Sequence, residues 1–152
     1  MRSTFILTLC TLGSGVRLAT RVGLDASPQT AFAFVATPAN WPAFVLSSHS
    51  VEGAGVNVPQ VVGSQVDEVF GLPPLLPLRV QWTCIESDAP AQAEGRLAFS
   101  SPSGLRGMAS DCFMGFTFAP NGQGGTELEL QVRGRHTPLA ATSLSGRACA
   151  EP

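Results

Sequence analysis

The sequence predicts an α+β fold in which a single antiparallel sheet curls around whatever its concave face covers. Three observations support this prediction. Residues 16–24 alternate between apolar and other side chains, as a half-buried strand does. Two short helical segments follow at once, and both contain or precede proline. From about residue 46 onward, six further strand patterns meet at turns rich in glycine and proline.

The first helix has local start and stop signals. Asp25 or Ser27 offers an N-cap, and Pro28 suits the first helical position. The helix is expected to end before Pro38, because the residue that precedes a proline is biased away from helical geometry. A second short helix or turn is predicted over residues 39–44.

Strands account for most of the remaining chain. The turn NGQGG at residues 121–125 separates two strand patterns and is the clearest hairpin signal. No internal repeat is present. The predicted strands after the helices cover 46–53, 61–70, 79–87, 93–100, 106–119 and 126–135.

Composition limits the function classes. A chain of 152 residues with 44% hydrophobic and 13% charged residues predicts one domain with a substantial core. All nine basic residues are arginine, the net charge is −2, and no basic cluster is present, which argues against nucleic-acid binding. Four widely spaced cysteines and two histidines show neither a zinc-ligand spacing nor a disulfide framework. No metal or other cofactor is therefore expected.

The first 15 residues form an extension whose role stays open. Its apolar run at residues 5–12 is too short to span a membrane as a helix. Arginine, serine and threonine precede the first acidic residue, Asp25, and that composition suits an organelle targeting segment as well as an extra strand. The localisation is accordingly expected to be cytoplasmic or organellar.

Four segments carry a resemblance to a known superfamily. DASPQTAFAFVATPANWPAF at residues 25–44 resembles the opening of the START-like, or SRPBCC, superfamily, which includes polyketide cyclases, coenzyme Q-binding proteins and the birch-pollen allergen group. VVGSQVDEVF, IESDAP and GGTELELQV resemble later strands of that superfamily, in the same order. The resemblance covers residues 16–135. It implies a helix-grip fold, with a curved seven-stranded antiparallel sheet around a long C-terminal helix and an apolar cavity between them.

The C-terminal tail departs from this pattern. Residues 136–152 contain Pro138 and Gly146 and show no apolar stripe, so the long helix is predicted to be missing or shortened. The chain is either truncated, completed by a partner or second copy, or covered by its own N-terminal apolar run. An uncovered face of this kind predicts self-association.

The resemblance implies that the protein binds or carries a small hydrophobic molecule, such as a lipid, an isoprenoid quinone or a polyketide. One alternative is an enzyme similar to polyketide cyclases and dehydratases, for which Asp111 and Arg79 are candidate proton-transfer groups. A second alternative is a protein-interaction module completed by a partner. The sequence shows no nucleophile motif, which favours a protein that is not an enzyme.

Candidate ligand contacts come from strand alternation and from isolated polar groups on apolar strands. Gln81, Thr83 and Asp111 are polar candidates for orienting a ligand. The residues predicted to line the cavity are Phe44, Gln65, Trp82, Ser110, Cys112, Met114, Phe116, Leu128 and Leu130.

The loop GLPPLLPL at residues 71–78 is unusually apolar and contains three prolines. The resemblance places it near the mouth of the cavity. We expect it to act as a gate or as a transient contact with a membrane or a protein, unless it packs back on the domain.

Overall fold

A computed structural model describes residues 6–12, 15–45, 47–71, 77–91, 94–105 and 109–136. Eight strands form one antiparallel sheet, and a helical segment lies between the second and third strands. The elements are β1 Ile6–Leu12, β2 Gly15–Leu24, α1 Pro28–Ala36, a 3₁₀ turn Pro38–Asn40, α2 Trp41–Phe44, β3 Ser48–Glu52, β4 Gln65–Phe70, β5 Leu78–Asp88, β6 Gly95–Ser101, β7 Ala109–Pro120 and β8 Thr126–His136.

The strand order across the sheet is β1-β2-β8-β7-β6-β5-β4-β3. The predicted α+β fold is confirmed, and the seven predicted strands are β2 to β8. β1 adds an eighth strand, paired along its whole length with β2 from Ile6 opposite Arg21 to Leu12 opposite Gly15. The N-terminal run therefore extends the sheet edge and does not cross the concave face. Residues 72–76 of the apolar loop and the tail from residue 137 lie outside the described residues.

The first helix begins and ends where its local signals predict. The Ser27 hydroxyl accepts a hydrogen bond from the Thr30 backbone N–H at 3.3 Å, and Pro28 follows the cap. Thr37 is the C-cap in an extended conformation, immediately before Pro38. One face of α1 is buried, and its residues are Ala31, Phe32, Val35 and Ala36.

Two aromatic contacts hold the helical segment against the sheet. The Phe32 ring meets Phe118 of β7 edge-on, with ring centroids 5.4 Å apart. Trp41, which is 1% exposed, meets Phe99 of β6 edge-on at 5.1 Å. The Trp41 Nε1 donates to the Val35 carbonyl at 2.8 Å, so its one polar atom is satisfied inside the core.

The helical segment contacts one face of the sheet, which we call the inner face. The opposite face is the outer face. On β7, alternate residues from Cys112 to Phe118 are buried on the inner face. On β8, Leu128, Leu130 and Val132 lie opposite Phe118, Phe116 and Met114 on that same face. The residues between them on both strands therefore lie on the outer face.

Three register shifts change which residues reach each face, and one of them lies on β3 between Ser48 and Ser50. The β7–β8 register shifts between Ser110 and Phe113, where Asp111 adopts a φ of 50° that few residues other than glycine adopt. The β5–β6 register shifts between Cys84 and Glu86. Each shift inserts an extra residue, so side chains before and after it no longer follow one alternation.

We expect replacement of Trp41 with alanine to lower the free energy of unfolding by about 3–5 kcal/mol, because a fully buried indole and its hydrogen bond are lost. Chemical denaturation followed by circular dichroism measures this change. Phe34→Ala is the matched control, because Phe34 lies on the same segment but is 46% exposed. Equal losses for the two variants would contradict a special role for Trp41.

Candidate functional site

The inner face of the sheet carries a continuous apolar surface across β4 to β8, which we call the inner groove. Its buried centre includes aromatic and sulfur-containing side chains, which adapt to ligands of irregular shape. The residues of the inner groove are Val66, Val80, Trp82, Cys84, Leu97, Phe99, Cys112, Met114, Phe116, Phe118, Leu128 and Leu130.

Burial changes across this surface. Val80, Leu97 and Phe99 are 0–1% exposed in the middle of the sheet. Leu128 and Leu130 of β8 are only partly buried, and so are the residues of β2 that lie opposite them, Val22 and Thr20. The accessible part of the inner groove therefore lies over β8, and the inner face continues from there onto the adjoining strand β2.

Six of the nine predicted cavity residues lie together in the inner groove. Trp82 of β5 is 6% exposed, and the three β7 residues Cys112, Met114 and Phe116 are also buried. Leu128 and Leu130 of β8 pack against them from the neighbouring strand. The period of two along β7 and β8 brings them together, as the alternation predicts. Their contact with a ligand stays a prediction.

The other three predicted residues lie elsewhere. Gln65 is exposed and lies opposite Thr83 on the outer face, where its Nε2 donates to the Thr83 hydroxyl at 3.4 Å. Phe44 is 40% exposed and packs against Phe34, with ring centroids 5.9 Å apart. Ser110 lies opposite Arg135, on the outer-face register, because the register shift at Asp111 separates it from Cys112.

The candidate proton-transfer groups also lie outside the inner groove. Arg79 is exposed and pairs with Glu52 at 3.2 Å and with Asp67 at 3.9 Å. Asp111 is exposed and pairs with Arg135 at 3.6 Å. Gln81 lies opposite Asp67 on the outer face. These positions give neither Asp111 nor Arg79 access to a molecule in the groove.

A buried carboxyl group was missed by the sequence analysis. Glu68 of β4 is 5% exposed, and its Oε2 accepts a hydrogen bond from Trp82 Nε1 at 2.8 Å. Glu68 lies opposite Val80 and Val51, both on the inner face. The sequence signal for its burial was its spacing from Val66, because side chains at positions i and i+2 lie on the same face of a strand. The neighbouring acid Asp67 obscured it, since alternation alone does not say which of the two is inside.

Ser48 of β3 is a second polar group near this end of the groove. It is 7% exposed, and its hydroxyl has no hydrogen-bond partner in the described part of the chain. Ser48 lies opposite Phe70, two residues beyond Glu68 on β4. Buried hydroxyl and carboxyl groups on an otherwise apolar surface are suited to bind a polar group of a ligand.

Two free cysteines, Cys84 and Cys112, contribute to the inner groove. Burial raises the pKa of both thiols above the ordinary value of 9.0, because the thiolate loses its hydration. At neutral pH both side chains are therefore neutral and act as soft apolar surface.

Two further features are absent from the described residues. No helix in them has the length and apolarity needed to cross a membrane. They also contain no group of three or more histidine, cysteine, aspartate or glutamate side chains placed to hold a metal ion.

No protein-family model and no curated protein sequence matches the chain. Solved structures do match it. The ginseng major latex-like protein 151 from Panax ginseng is 12% identical, with a TM-score of 0.62 over 82% of this chain and 81% of that one. A protein from Rhodobacter sphaeroides is 18% identical, with a TM-score of 0.60 over 87% of this chain and 79% of that one. The chain has the START-like fold.

A third similar structure with the START-like fold contains bound small molecules. Norcoclaurine synthase from Thalictrum flavum, in complex with dopamine and hydroxybenzaldehyde, is 13% identical, with a TM-score of 0.59 over 89% of this chain and 80% of that one. The predicted resemblance to the START-like superfamily and the helix-grip arrangement of sheet and short helices are thereby confirmed at the level of the fold.

The buried thiols predict a specific dependence of stability on pH. Their folded-state pKa lies above the ordinary value of 9.0, so they contribute stability below that pH, and the contribution is lost as pH rises through the folded-state pKa. The chain contains no tyrosine and no lysine, whose titration would otherwise overlap. We therefore expect the free energy of unfolding to fall as the pH rises above 9.

Urea denaturation at several alkaline pH values measures this decline. A variant with both Cys84→Ala and Cys112→Ala is the control and should show a flatter dependence, whatever its stability at neutral pH. An equally steep decline in this variant would contradict the assignment to the two thiols.

Proposed function

We propose that the protein binds and carries a small hydrophobic molecule in the inner groove. The observation that supports this most directly is the continuous apolar surface, which is closed in the middle of the sheet and accessible over β8. Leu128 and Leu130 remain only partly buried at the β8 side of this surface, and apolar side chains left accessible beside a buried core are suited to contact an apolar ligand.

The composition of the groove favours a flexible or flat apolar ligand. Met114 and Cys112 offer polarisable sulfur, and Phe116 offers an aromatic face on the same strand. Lipids, isoprenoid quinones and polyketides all fit this description. The START-like fold adds support, because the Thalictrum flavum enzyme of that fold is described in complex with two small aromatic molecules. The fold by itself does not choose among ligands.

Glu68 and Ser48 give the groove one polar end. A carboxyl group that already accepts from Trp82 retains capacity for a second hydrogen bond, and the Ser48 hydroxyl has its full capacity in the described part of the chain. These two groups lie on β4 and β3, across the closed middle of the sheet from the accessible part over β8. A ligand that reaches them must enter between these strands, and such a ligand is expected to carry a hydroxyl, carbonyl or amine group at that end.

Native mass spectrometry of the purified protein, followed by organic extraction, tests the carrier function. We expect a co-purified apolar compound and competition between that compound and an apolar fluorescent dye. A folded protein that retains no compound and binds no dye would reject the proposal.

The dye-binding site is tested with two neighbouring residues of β8. Replacement of Leu130 with alanine removes half-buried apolar surface from the groove and should weaken dye binding about fivefold, equivalent to about 1 kcal/mol. Gln131→Ala is the matched control, because Gln131 lies on the outer face of the same strand. Equal effects of the two substitutions would place the dye outside the groove.

The buried Glu68 favours a second candidate function, an enzyme that folds a reactive chain and transfers protons during ring closure or dehydration. A carboxyl group in an apolar site is suited to general acid–base chemistry, provided that it lies within hydrogen-bond reach of the reacting group. Glu68 meets the requirement for burial, whereas Asp111 and Arg79 do not.

Glu68→Gln distinguishes the enzyme from the carrier. Glutamine keeps the acceptor for Trp82 but cannot exchange a proton, so an enzyme with this substitution should accumulate an unconverted precursor that is heavier by one water if the reaction is a dehydration. Mass spectrometry of the bound compounds measures the difference, with Asp67→Asn on the outer face as control. The same compound in the original protein and in the Glu68→Gln variant would support the carrier and reject catalysis by Glu68.

A further inference from the structure

Three arginines gather on the outer face of the sheet, at the end where β2 begins and β8 ends. Arg17 of β2 lies directly opposite Arg133 of β8, and Arg135 lies two residues further along β8 on the same face. Like charges that face each other across two strands repel, so this arrangement opposes the pairing of β2 with β8. Side chains that disfavour a fold without an evident structural benefit point to a functional role.

The other arginines of the described sheet are paired differently. Arg21 contacts Glu129 at 2.7 Å and Glu127 at 3.7 Å, and Arg96 contacts Glu94 at 3.1 Å. Arg17 and Arg133 have no carboxylate partner in the described part of the chain, and Arg135 has only the exposed pair with Asp111. Three guanidinium groups against one carboxylate leave two positive charges in this corner of the outer face.

The guanidinium of Arg133 packs on the ring of Phe113. Its guanidinium carbon lies 4.0 Å from the centre of the Phe113 ring, as in a cation–π contact. The Phe113 ring in turn covers Gly115, where an added Cβ would lie only 2.8 Å from the ring. Gly115 thus makes room for the ring on the sheet surface, and the ring orients the guanidinium.

The Arg133 guanidinium contains a donor without a hydrogen-bond partner in the described residues. The Nε atom of Arg133 is buried and finds no hydrogen-bond acceptor in the described residues. Buried donors are rarely left without an acceptor, and each exception calls for an explanation such as an absent ion. Arg133 is thus incompletely paired within the described residues, in addition to facing the like charge of Arg17.

The same residues line an open cleft. It has a volume of about 540 Å³, and its walls include Arg17, Arg133, Arg135, Phe113 and Asp111. The cleft is larger than a single oxyanion, so an anionic group attached to a small organic body fits inside it. The inner groove is on the opposite face of the sheet, so the two sites do not overlap.

We propose that this cleft binds a phosphate group, either of a small soluble phosphate monoester or of an anionic lipid headgroup. A phosphate monoester carries up to two negative charges near neutral pH, which match the two uncompensated positive charges of the cleft. Guanidinium groups also bind phosphate oxygens through two parallel hydrogen bonds. Bound phosphate pairs with the guanidinium groups that line the cleft and relieves the repulsion between Arg17 and Arg133.

Calorimetric titration of the full chain with phenyl phosphate, at constant ionic strength, tests the site. We expect saturable binding and an increase in the melting temperature when phosphate is present. Arg133→Gln and Arg17→Gln should each weaken binding by about tenfold or more, because each removes a charge-assisted hydrogen bond. Arg79→Gln is the control for the loss of one charge, since Arg79 lies on β5 and pairs with Glu52.

Arg17→Gln also keeps the test decisive if Arg133→Gln does not fold. Arg17 is exposed, and its removal relieves repulsion, so this variant should melt at the same or a higher temperature than the original chain in phosphate-free buffer. A structural role for Arg17 predicts a lower melting temperature. The proposal is overturned if the folded original chain binds no phenyl phosphate, or if Arg79→Gln weakens binding as much as the two cleft variants.

Vesicle sedimentation distinguishes the two sources of phosphate. Vesicles of phosphatidylcholine with added phosphatidic acid should bind the chain, in competition with phenyl phosphate, if the source is a lipid headgroup. Binding of phenyl phosphate without binding to these vesicles assigns the site to a soluble phosphate. Binding to neither one by the folded chain rejects the site.

Discussion

The contact of two aromatic side chains with the sheet determines the rest of the structure. Phe32 on Phe118 and Trp41 on Phe99 attach the helical segment to one face of the central strands. Because strand side chains alternate, this attachment decides for every residue of β4 to β8 whether it lies in the core or outside. This attachment therefore places the groove and the buried carboxyl group on the inner face and the arginine-lined cleft on the outer face.

Elements with local signals could be predicted from the sequence. The cap at Ser27 and the proline after it act within one turn of the helix. At the hairpin after β7, the Asn121 side chain accepts hydrogen bonds from the Gln123 and Gly125 backbone N–H groups at 2.9 Å, which explains why NGQGG turns the chain there. In both cases the residues that dictate the geometry are neighbours in sequence.

Features that depend on register could not be predicted in this way. The shift at Asp111 moves Ser110 to the outer-face register, and no pattern of apolar residues announces such a shift. Glu68 was overlooked because the choice between it and Asp67 depends on pairing with β5, where its partner Val80 lies 12 residues away along the chain. The sequence left the extra strand at the N-terminus as one of two alternatives for a similar reason, because this strand depends on pairing with β2.

The pair β7–β8 carries different chemistry on its two faces. Met114 and Val132 contribute to the inner face, while their chain neighbours Phe113 and Arg133 build the outer cleft. A ligand on either face therefore contacts the same two strands.

β1 forms one edge of the sheet. A strand at the edge of a sheet offers unpaired backbone groups to other chains, and charged side chains are the usual protection. β1, with the sequence ILTLCTL, has no charged residue, whereas β2 behind it carries Arg17 and Arg21. A chain that began at Gly15 would have β2, with its two arginines, as the edge strand in place of the uncharged β1. Removal of the first residues should therefore reduce aggregation and help the protein to crystallise.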